Sequence, residues 1–274
     1  MTTTSEPTRK LRTELPAGKA GLRGAVASEW TKLMSVRSTW ACLVSAIVIM
    51  AIYCAYYGTI VLIQNEENAA DASSQPIGNA PQSAVIVVQF VAIVWAMQSI
   101  TSEYSTGTIR NTLQWVPNRF TVLMAKVLVV SVTTFVVGTL LGLMGALVSW
   151  PLFGGYGIVN ATDVIVDSVL VGANLALLSI MAIGAGAALR KAAGALAIVF
   201  VFLVVLPVLL QPTGNPNADD VLQKVNQYLP GYAGMNFMRG IDDYYPAYVG
   251  FLVVAGWSLA VLFIGYRRLR SRDA

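Results

Sequence analysis

The sequence has no histidine, few charged residues and only two cysteines. Without histidine, the chain lacks both the commonest zinc ligand and the usual general base of an enzyme site. Charged residues make up 12% of its 274 residues, about half the share found in soluble globular domains. Cys42 and Cys54 lie in one apolar stretch, about 18 Å apart along a helix and beyond disulfide reach. These absences argue against a soluble enzyme and against a disulfide-bonded domain.

Apolar residues are abundant, at 56% of the total. They concentrate in runs of about 20 residues, the length that a helix needs to cross a bilayer. Six such runs occur, at approximately residues 40–63, 83–100, 127–153, 168–189, 192–210 and 247–266. The sequence therefore predicts an all-α integral membrane protein with six transmembrane helices within residues 39–266.

The basic residues predict the orientation of these helices, because Lys and Arg concentrate in the cytoplasmic segments of membrane proteins. With the N-terminus inside, sixteen of the 18 Lys and Arg residues fall in inner segments, and only Lys224 and Arg239 fall outside. The outer segments contain the acidic residues Glu66, Glu67, Asp71, Asp163, Asp167, Asp219, Asp220, Asp242 and Asp243. We therefore expect a multi-pass protein of the plasma membrane with both termini in the cytoplasm.

The N-terminal region divides into a tail and a helix. Residues 1–21 are polar, contain two prolines and have no signal-peptide core, so we expect a disordered cytoplasmic tail. Residues 22–38 are predicted to form an amphipathic helix lying in the membrane interface. Its apolar face comprises Leu22, Val26, Trp30 and Leu33, and Lys32 lies opposite. A soluble tail helix is the alternative. At the other terminus, we expect residues 267–274 to form a short basic cytoplasmic tail.

The segment between the second and third spans predicts a short cytoplasmic helix. Ser105 or Thr106 can cap its start, Ile109 and Leu113 share one face, and Pro117 ends it. Such a short helix cannot bury its apolar stripe alone, so it must rest on the membrane or on a partner protein. A bare connecting loop is the alternative.

Residues 211–246 form the longest outer segment. Asp219 or Asp220 can cap one short helix there, and Pro230, Gly231 and Gly234 are expected to break it. We expect this segment to pack over the outer mouth of the bundle.

Polar residues inside the predicted spans are few. Gln89 and Gln98 lie in the second span and Asn174 in the fourth; they either line a substrate path or form interhelical hydrogen bonds. Close helix packing is indicated by Gly138, Gly142, Gly145, Gly184 and Gly186. Pro207 predicts a kink in the fifth span. No charge lies deep in a predicted span, which argues against an ion-coupled transporter.

Two segments resemble a known family. The segment Glu103-Tyr104-x-x-Gly107-Thr108-Ile109-Arg110-x-x-Leu113-x-x-x-Pro117-x-Arg119, followed by Ala125-Lys126, resembles the first cytoplasmic loop of ABC-2 type transporter permeases. The stretch Ser28-Glu29-Trp30-Thr31-Lys32-Leu33 resembles the N-terminal approach helix of small actinobacterial members. With the six-span topology, the resemblance covers about residues 20–272.

The resemblance implies a permease subunit, an exporter by family expectation, that pairs with an identical or related permease and with two ATPase subunits. The loop helix would be the coupling helix that sits in a groove of the ATPase. The positions expected to make this contact are Glu103, Tyr104, Gly107, Thr108, Ile109, Arg110, Leu113, Pro117 and Arg119. Glu103 and Arg110 would be the polar contacts. A further contact is expected from the N-terminal helix through Trp30, Lys32 and Leu33.

The chain contains no Gly-x-x-x-x-Gly-Lys-Ser/Thr phosphate-binding loop. ATP and Mg²⁺ are therefore expected on the partner ATPase, and this chain is expected to hold no cofactor, metal or catalytic site and to bind no nucleic acid. Two alternatives remain open, a secondary transporter or channel and a membrane anchor or sensor that does not transport.

Overall fold

The computed structural model describes residues 21–108, 118–211, 214, 216–240 and 244–271. In this part of the chain the helices are α1 (Leu22–Ser35), α2 (Arg37–Glu67), α3 (Asn79–Thr106), α4 (Arg119–Ser149), α5 (Ala161–Leu189), α6 (Ala192–Leu209), α7 (Pro216–Asn226), α8 (Pro230–Arg239) and α9 (Ala247–Ser271). Six of them, α2 to α6 and α9, are long and apolar enough to cross a membrane. The predicted all-α membrane fold with six spans is confirmed.

The helices around the first inner loop are longer than the apolar runs that predict them. α3 continues to Thr106 and α4 begins at Arg119, whereas the predicted spans are 83–100 and 127–153. Hydropathy detects only the apolar part of a helix. The helical hydrogen bonds continue through polar residues until a capping residue or a proline ends the helix. Glu103 and Lys126 therefore lie inside helices rather than in a loop.

α5 is the central helix and packs along α3, α4 and α9. Where it meets α4, a Cβ atom on Gly138 would lie 2.9 Å from the Cα atom of Gly172. Where it meets α9, a Cβ atom on Gly184 would lie 2.6 Å from the Cα atom of Leu262. Side chains at these glycines would force the helices apart, so the predicted close packing is confirmed there.

The bundle has two chemically different ends. One end holds α1, the C-terminus of α3, the N-terminus of α4, the turn at Arg190 and Lys191, and the C-terminus of α9; we call it the basic end. The opposite end holds Asp163, Asp167, α7 and α8 and is called the acidic end. There, strands β1 (Gln75–Pro76) and β2 (Gly157–Ile158) pair in parallel and join the α2–α3 and α4–α5 connections.

The long segment at the acidic end contains two helices rather than the single predicted one. Pro230, which was expected to break the predicted helix, is the first residue of α8. A proline fits there because the first turn of a helix does not use the backbone N–H that proline lacks. Gly231 brings α8 into contact with the backbone carbonyl of Leu203 on α6. Pro207 cannot donate a helical hydrogen bond to that carbonyl. The preceding stretch Val201–Val205 is π-helical, so α6 is irregular where a proline kink is predicted.

Candidate functional site

The structure brings four charged side chains together at the basic end, beneath α1. Glu29 and Lys32 come from α1, Glu103 from α3 and Lys126 from α4. Glu103 and Lys126 flank the inner loop, so this four-charge cluster lies at its two roots.

The hydrogen bonds of the cluster are short. Lys126 Nζ donates to Glu29 Oε2 at 2.6 Å and to Glu103 Oε1 at 2.8 Å. Lys32 Nζ donates to Glu29 Oε1 and to Glu103 Oε1, each at 2.8 Å. The two carboxylates therefore share two ammonium groups, and α1 is joined to both helices of the loop.

Burial makes this arrangement sensitive to the loss of any one charge. Lys126 is 1% exposed, Glu103 7% and Glu29 8%, and an unpaired charge at such a position would cost several kcal/mol. Lys32 is only half-buried. Burial lowers the pKa of Lys32, but its hydrogen bonds and charge attraction to Glu103 and Glu29 outweigh this, and the net pKa lies above the ordinary lysine value. Lys32 therefore stays charged at neutral pH.

Local sequence signals bracket the inner loop between the two roots. Gly107 adopts the left-handed conformation (φ 72°) and ends α3, a role that glycine fills without strain. Asn118 begins α4, since its side-chain oxygen accepts hydrogen bonds from the backbone N–H groups of Phe120 and Thr121. Both ends of the loop are therefore held in defined positions.

Two further contacts tie the loop roots to other helices. Arg119 Nη1 donates to the backbone oxygens of Leu269 at 2.7 Å and Arg270 at 3.1 Å, in the last turn of α9. A cation there also complements the negative end of the helix dipole. On the α3 side, the guanidinium of Arg190 lies 5.1 Å from the ring centroid of Tyr104, a cation–π distance. The roots of the loop thus reach α9 and the α5–α6 turn.

The predicted contact residues divide into two groups. Ile109, Arg110, Leu113 and Pro117, with the predicted coupling helix itself, lie outside the described residues. The others, Glu103, Tyr104, Gly107, Thr108 and Arg119, lie at the loop roots. Among these, Glu103 is buried and bonded to lysines of its own chain, and its contact with the ATPase stays a prediction.

The N-terminal helix turns a different face to the protein from the one expected. Ala25, Glu29 and Leu33 are its buried residues, one helical turn apart from each other. Trp30 is 50% exposed and Leu22 48%. The predicted apolar stripe therefore splits, because Leu33 packs inward while Trp30 points away from the bundle.

The three candidate path residues do not meet. Gln89 and Asn174 line one cavity of about 520 Å³ near the acidic end, bordered by α6 and α8. Gln98 lines a different cavity at the basic end. Within one chain these residues do not form a continuous path.

Sequence reasoning missed the roles of Glu29 and Lys126. Glu29 interrupts the predicted apolar stripe at a position one turn from Ala25 and from Leu33, which was a usable signal of an inward-facing charge. Lys126 directly precedes an apolar run, the ordinary position of an interfacial lysine, so nothing in its spacing indicated burial. Among the described residues, no group of three or more His, Cys, Asp or Glu side chains could hold a metal ion.

Comparison with known proteins identifies a family match. The sequence model of a family described as "ABC-2 family transporter protein" matches residues 26–274, nearly the whole chain. A search of curated proteins finds no match.

Proposed function

Since the chain belongs to the ABC-2 family of transporter proteins, we propose that this permease is the membrane-spanning half of an ATP-driven exporter. In this proposal two separate cytoplasmic ATPase subunits bind ATP and Mg²⁺ and grip the inner loop between α3 and α4.

The observation that carries the proposal is the anchoring of both loop roots. Through Glu103 and Lys126 the roots are joined to α1, and through Arg119 to α9. The cation–π contact between Tyr104 and Arg190 joins the α3 root to the α5–α6 turn as well. A partner that moves the loop would therefore move α1, α3, α4 and α9 together rather than bend the loop alone.

Such a set of tied elements suits a protein that alternates between two conformations. ATP-driven closure of the partner subunits would bias the equilibrium by binding one loop position better than the other. Through the contacts at its roots, a displacement of the loop would become a rigid-body movement of several helices.

A second permease copy, identical or related, completes the proposed assembly. α6 is the least buried of the six spanning helices, with 17% of its 18 residues buried within the chain, and α9 follows, with 22% of an 18-residue apolar stretch buried. These apolar faces must be covered by lipid or by another membrane protein, and we assign part of this surface to the second permease.

We propose that the basic end faces the cytoplasm and that the protein resides in the plasma membrane. The support is the distribution of charge, since the described parts of the basic end include Arg37, Arg119, Lys126, Arg190 and Arg267. This orientation puts the inner loop on the side where ATP is available.

Co-purification with the ATPase tests the proposal. The full chain would be expressed with an ABC ATPase that co-purifies with it, and Arg110→Glu or Leu113→Asp should reduce recovery of that ATPase at least about tenfold, a change of roughly 1.4 kcal/mol. Arg268→Glu, an exposed arginine on α9 at the same end, is the charge-matched control and should leave recovery unchanged. Full recovery of the ATPase in both loop variants would overturn the assignment of the loop.

A second variant distinguishes binding of the ATPase from the transfer of loop movement to α9. Arg119→Ala removes the hydrogen bonds to the end of α9 and should lower transport-linked ATP hydrolysis more than it lowers ATPase recovery. Transport that depends on an ion gradient and persists without any ATPase would instead identify a secondary transporter.

A further inference from the structure

A cavity of about 750 Å³, lined by both apolar and polar side chains, lies at the basic end, between α1, the start of α2, the end of α3 and the start of α4. Glu29, Lys32 and Glu103 of the four-charge cluster line it, together with Ser38 and Gln98. The cavity therefore places both signs of charge beside polar side chains, at the level where the helices leave the apolar part of the bundle.

An apolar slot of about 100 Å³ continues from this cavity toward the middle of the bundle. Thr39 and Trp95 line both spaces and so mark the junction between them. The slot runs between α2 and α4 with α3 behind it, and its lining includes Leu43, Ala46, Val91, Ala92, Val137 and Leu141. From Thr39 to Ala46 the rise along α2 is roughly 10 Å.

The slot is open because α2 and α4 pack closely only toward the acidic end. There a Cβ atom on Gly145 would lie 2.8 Å from Cys54 Sγ, and one on Gly58 would lie 3.0 Å from the Cβ atom of Leu152. Nearer the basic end, Leu43 and Val137 on the slot walls are only half-buried. An apolar chain can therefore enter sideways from the bilayer.

Two buried polar atoms of residues that line the cavity lack hydrogen-bond partners. Among the described residues, the buried atoms Glu103 Oε2 and Trp95 Nε1 have none, although buried polar groups are usually satisfied. Glu103 Oε2 requires a donor, and Trp95 Nε1 requires an acceptor. Lys32 Nζ has three N–H donors, and its two hydrogen bonds to carboxylates leave one for an acceptor in the cavity.

We propose that the cavity and slot bind one phosphatidylethanolamine molecule from the leaflet at the basic end. Its ammonium group donates to Glu103, its phosphate accepts from Lys32 and Trp95, and one acyl chain enters the slot. The four-charge cluster is formally neutral, with two lysines and two glutamates. A zwitterionic headgroup adds no net charge to this partly buried site, whereas an anionic headgroup brings one that the cluster does not balance.

The bound lipid would also influence the movement of the inner loop. The bound lipid touches α1 and both roots of the inner loop, so its presence would favour one position of these elements. Lipid composition would then adjust how readily the loop moves.

Native mass spectrometry of the full chain in mild detergent tests the site. The probes are phosphatidylethanolamine, phosphatidylglycerol and free O-phosphoethanolamine, the headgroup without acyl chains. We expect one phosphatidylethanolamine per chain, retained at least about tenfold better than phosphatidylglycerol. Free phosphoethanolamine should bind far more weakly, because it has no acyl chain to bury in the slot. Equal retention of the two lipids, or tight binding of the free headgroup, would overturn the proposal.

Matched variants locate the binding. Ala46→Phe fills the slot and should reduce retention of phosphatidylethanolamine by roughly tenfold, while Ala41→Phe, on the exposed face of the same helix, should not. Ala92→Phe fills the slot from α3 and serves as the second slot variant if the first does not fold. Glu103→Gln should abolish the preference for phosphatidylethanolamine over phosphatidylglycerol. Unchanged retention in a folded slot variant contradicts the assignment.

Discussion

At the scale of single residues, Lys126 has the environment least suited to its chemistry. An ammonium group moved from water into a protein interior loses several kcal/mol of hydration, and Lys126 is only 1% exposed. Two carboxylates at 2.6 and 2.8 Å offset that loss. The same carboxylates would face each other with only Lys32 between them if Lys126 were absent. Lys126 therefore stabilises the junction of α1, α3 and α4.

Replacing this lysine should strongly destabilise the protein. Lys126→Met is expected to lower the free energy of unfolding by about 3–5 kcal/mol, because it leaves Glu29 and Glu103 buried with too little positive charge. Denaturant unfolding of the purified protein in detergent measures the change. Lys224→Met is the control, since its ion pair with Asp220 is largely exposed, and it should cost less than about 1 kcal/mol. Equal costs for the two substitutions would show that the cluster is not a stabilising unit.

At the scale of helices, the contact between α5 and α9 depends on the absence of side chains. A Cβ atom on Gly265 would run into the backbone oxygen of Gly184, and one on Gly184 would run into the backbone of Leu262. Because backbone atoms cannot move aside as a flexible side chain can, the two helices would have to separate. α5 is the central helix, so this separation would disturb the whole bundle.

Two glycines of the same helix test this dependence. Gly265→Ala should lower the free energy of unfolding by about 1–3 kcal/mol through overpacking. Gly256→Ala, also in α9 but with nothing within 4 Å of the added Cβ atom, should be neutral or slightly stabilising because alanine favours helix. Unfolding midpoints of both variants in detergent provide the comparison. A Gly265→Ala protein as stable as Gly256→Ala would mean that the helices tolerate a wider separation.

At the scale of the whole molecule, the six spans place their ends alternately on two sides, and the side of each loop follows from that of any other. The basic end gathers the N-terminal helix, the two roots of the inner loop and the end of α9 on one side. The short parallel pairing of β1 with β2 lies on the opposite side. The proposed orientation can therefore be tested at two positions.

Cysteine labelling in intact cells decides the orientation. In a background with Cys42 and Cys54 replaced by Ala, a cysteine introduced by Ala72→Cys on the acidic end should react with a membrane-impermeant maleimide. One introduced by Ser271→Cys at the end of α9 should react only after the membrane is opened. Both positions are exposed, so burial does not explain a difference between them. The reverse pattern would place the basic end outside and exclude coupling to a cytoplasmic ATPase there.

Much of this architecture was predictable from the chain alone, and the exceptions are specific. The six spans follow from the lengths of the apolar runs. The boundaries of the inner loop do not follow from these runs. α3 continues through polar residues as far as Gly107, and α4 begins directly after Asn118, before its apolar run starts. Glu103 was expected at a partner surface, but the structure buries it among lysines of its own chain.

The sequence by itself determined the membrane class, the number of spans and the sorting of charge between the two ends. These are local properties, because each apolar run can be compared separately with the length needed to cross a bilayer. Only the tertiary structure decided that Glu29, Lys32, Glu103 and Lys126 meet, since Glu29 and Lys126 lie 97 positions apart in the chain. It also created the cavity and slot between α1, α2, α3 and α4. Such contacts depend on how the helices pack against one another, and no spacing along the chain encodes that packing directly.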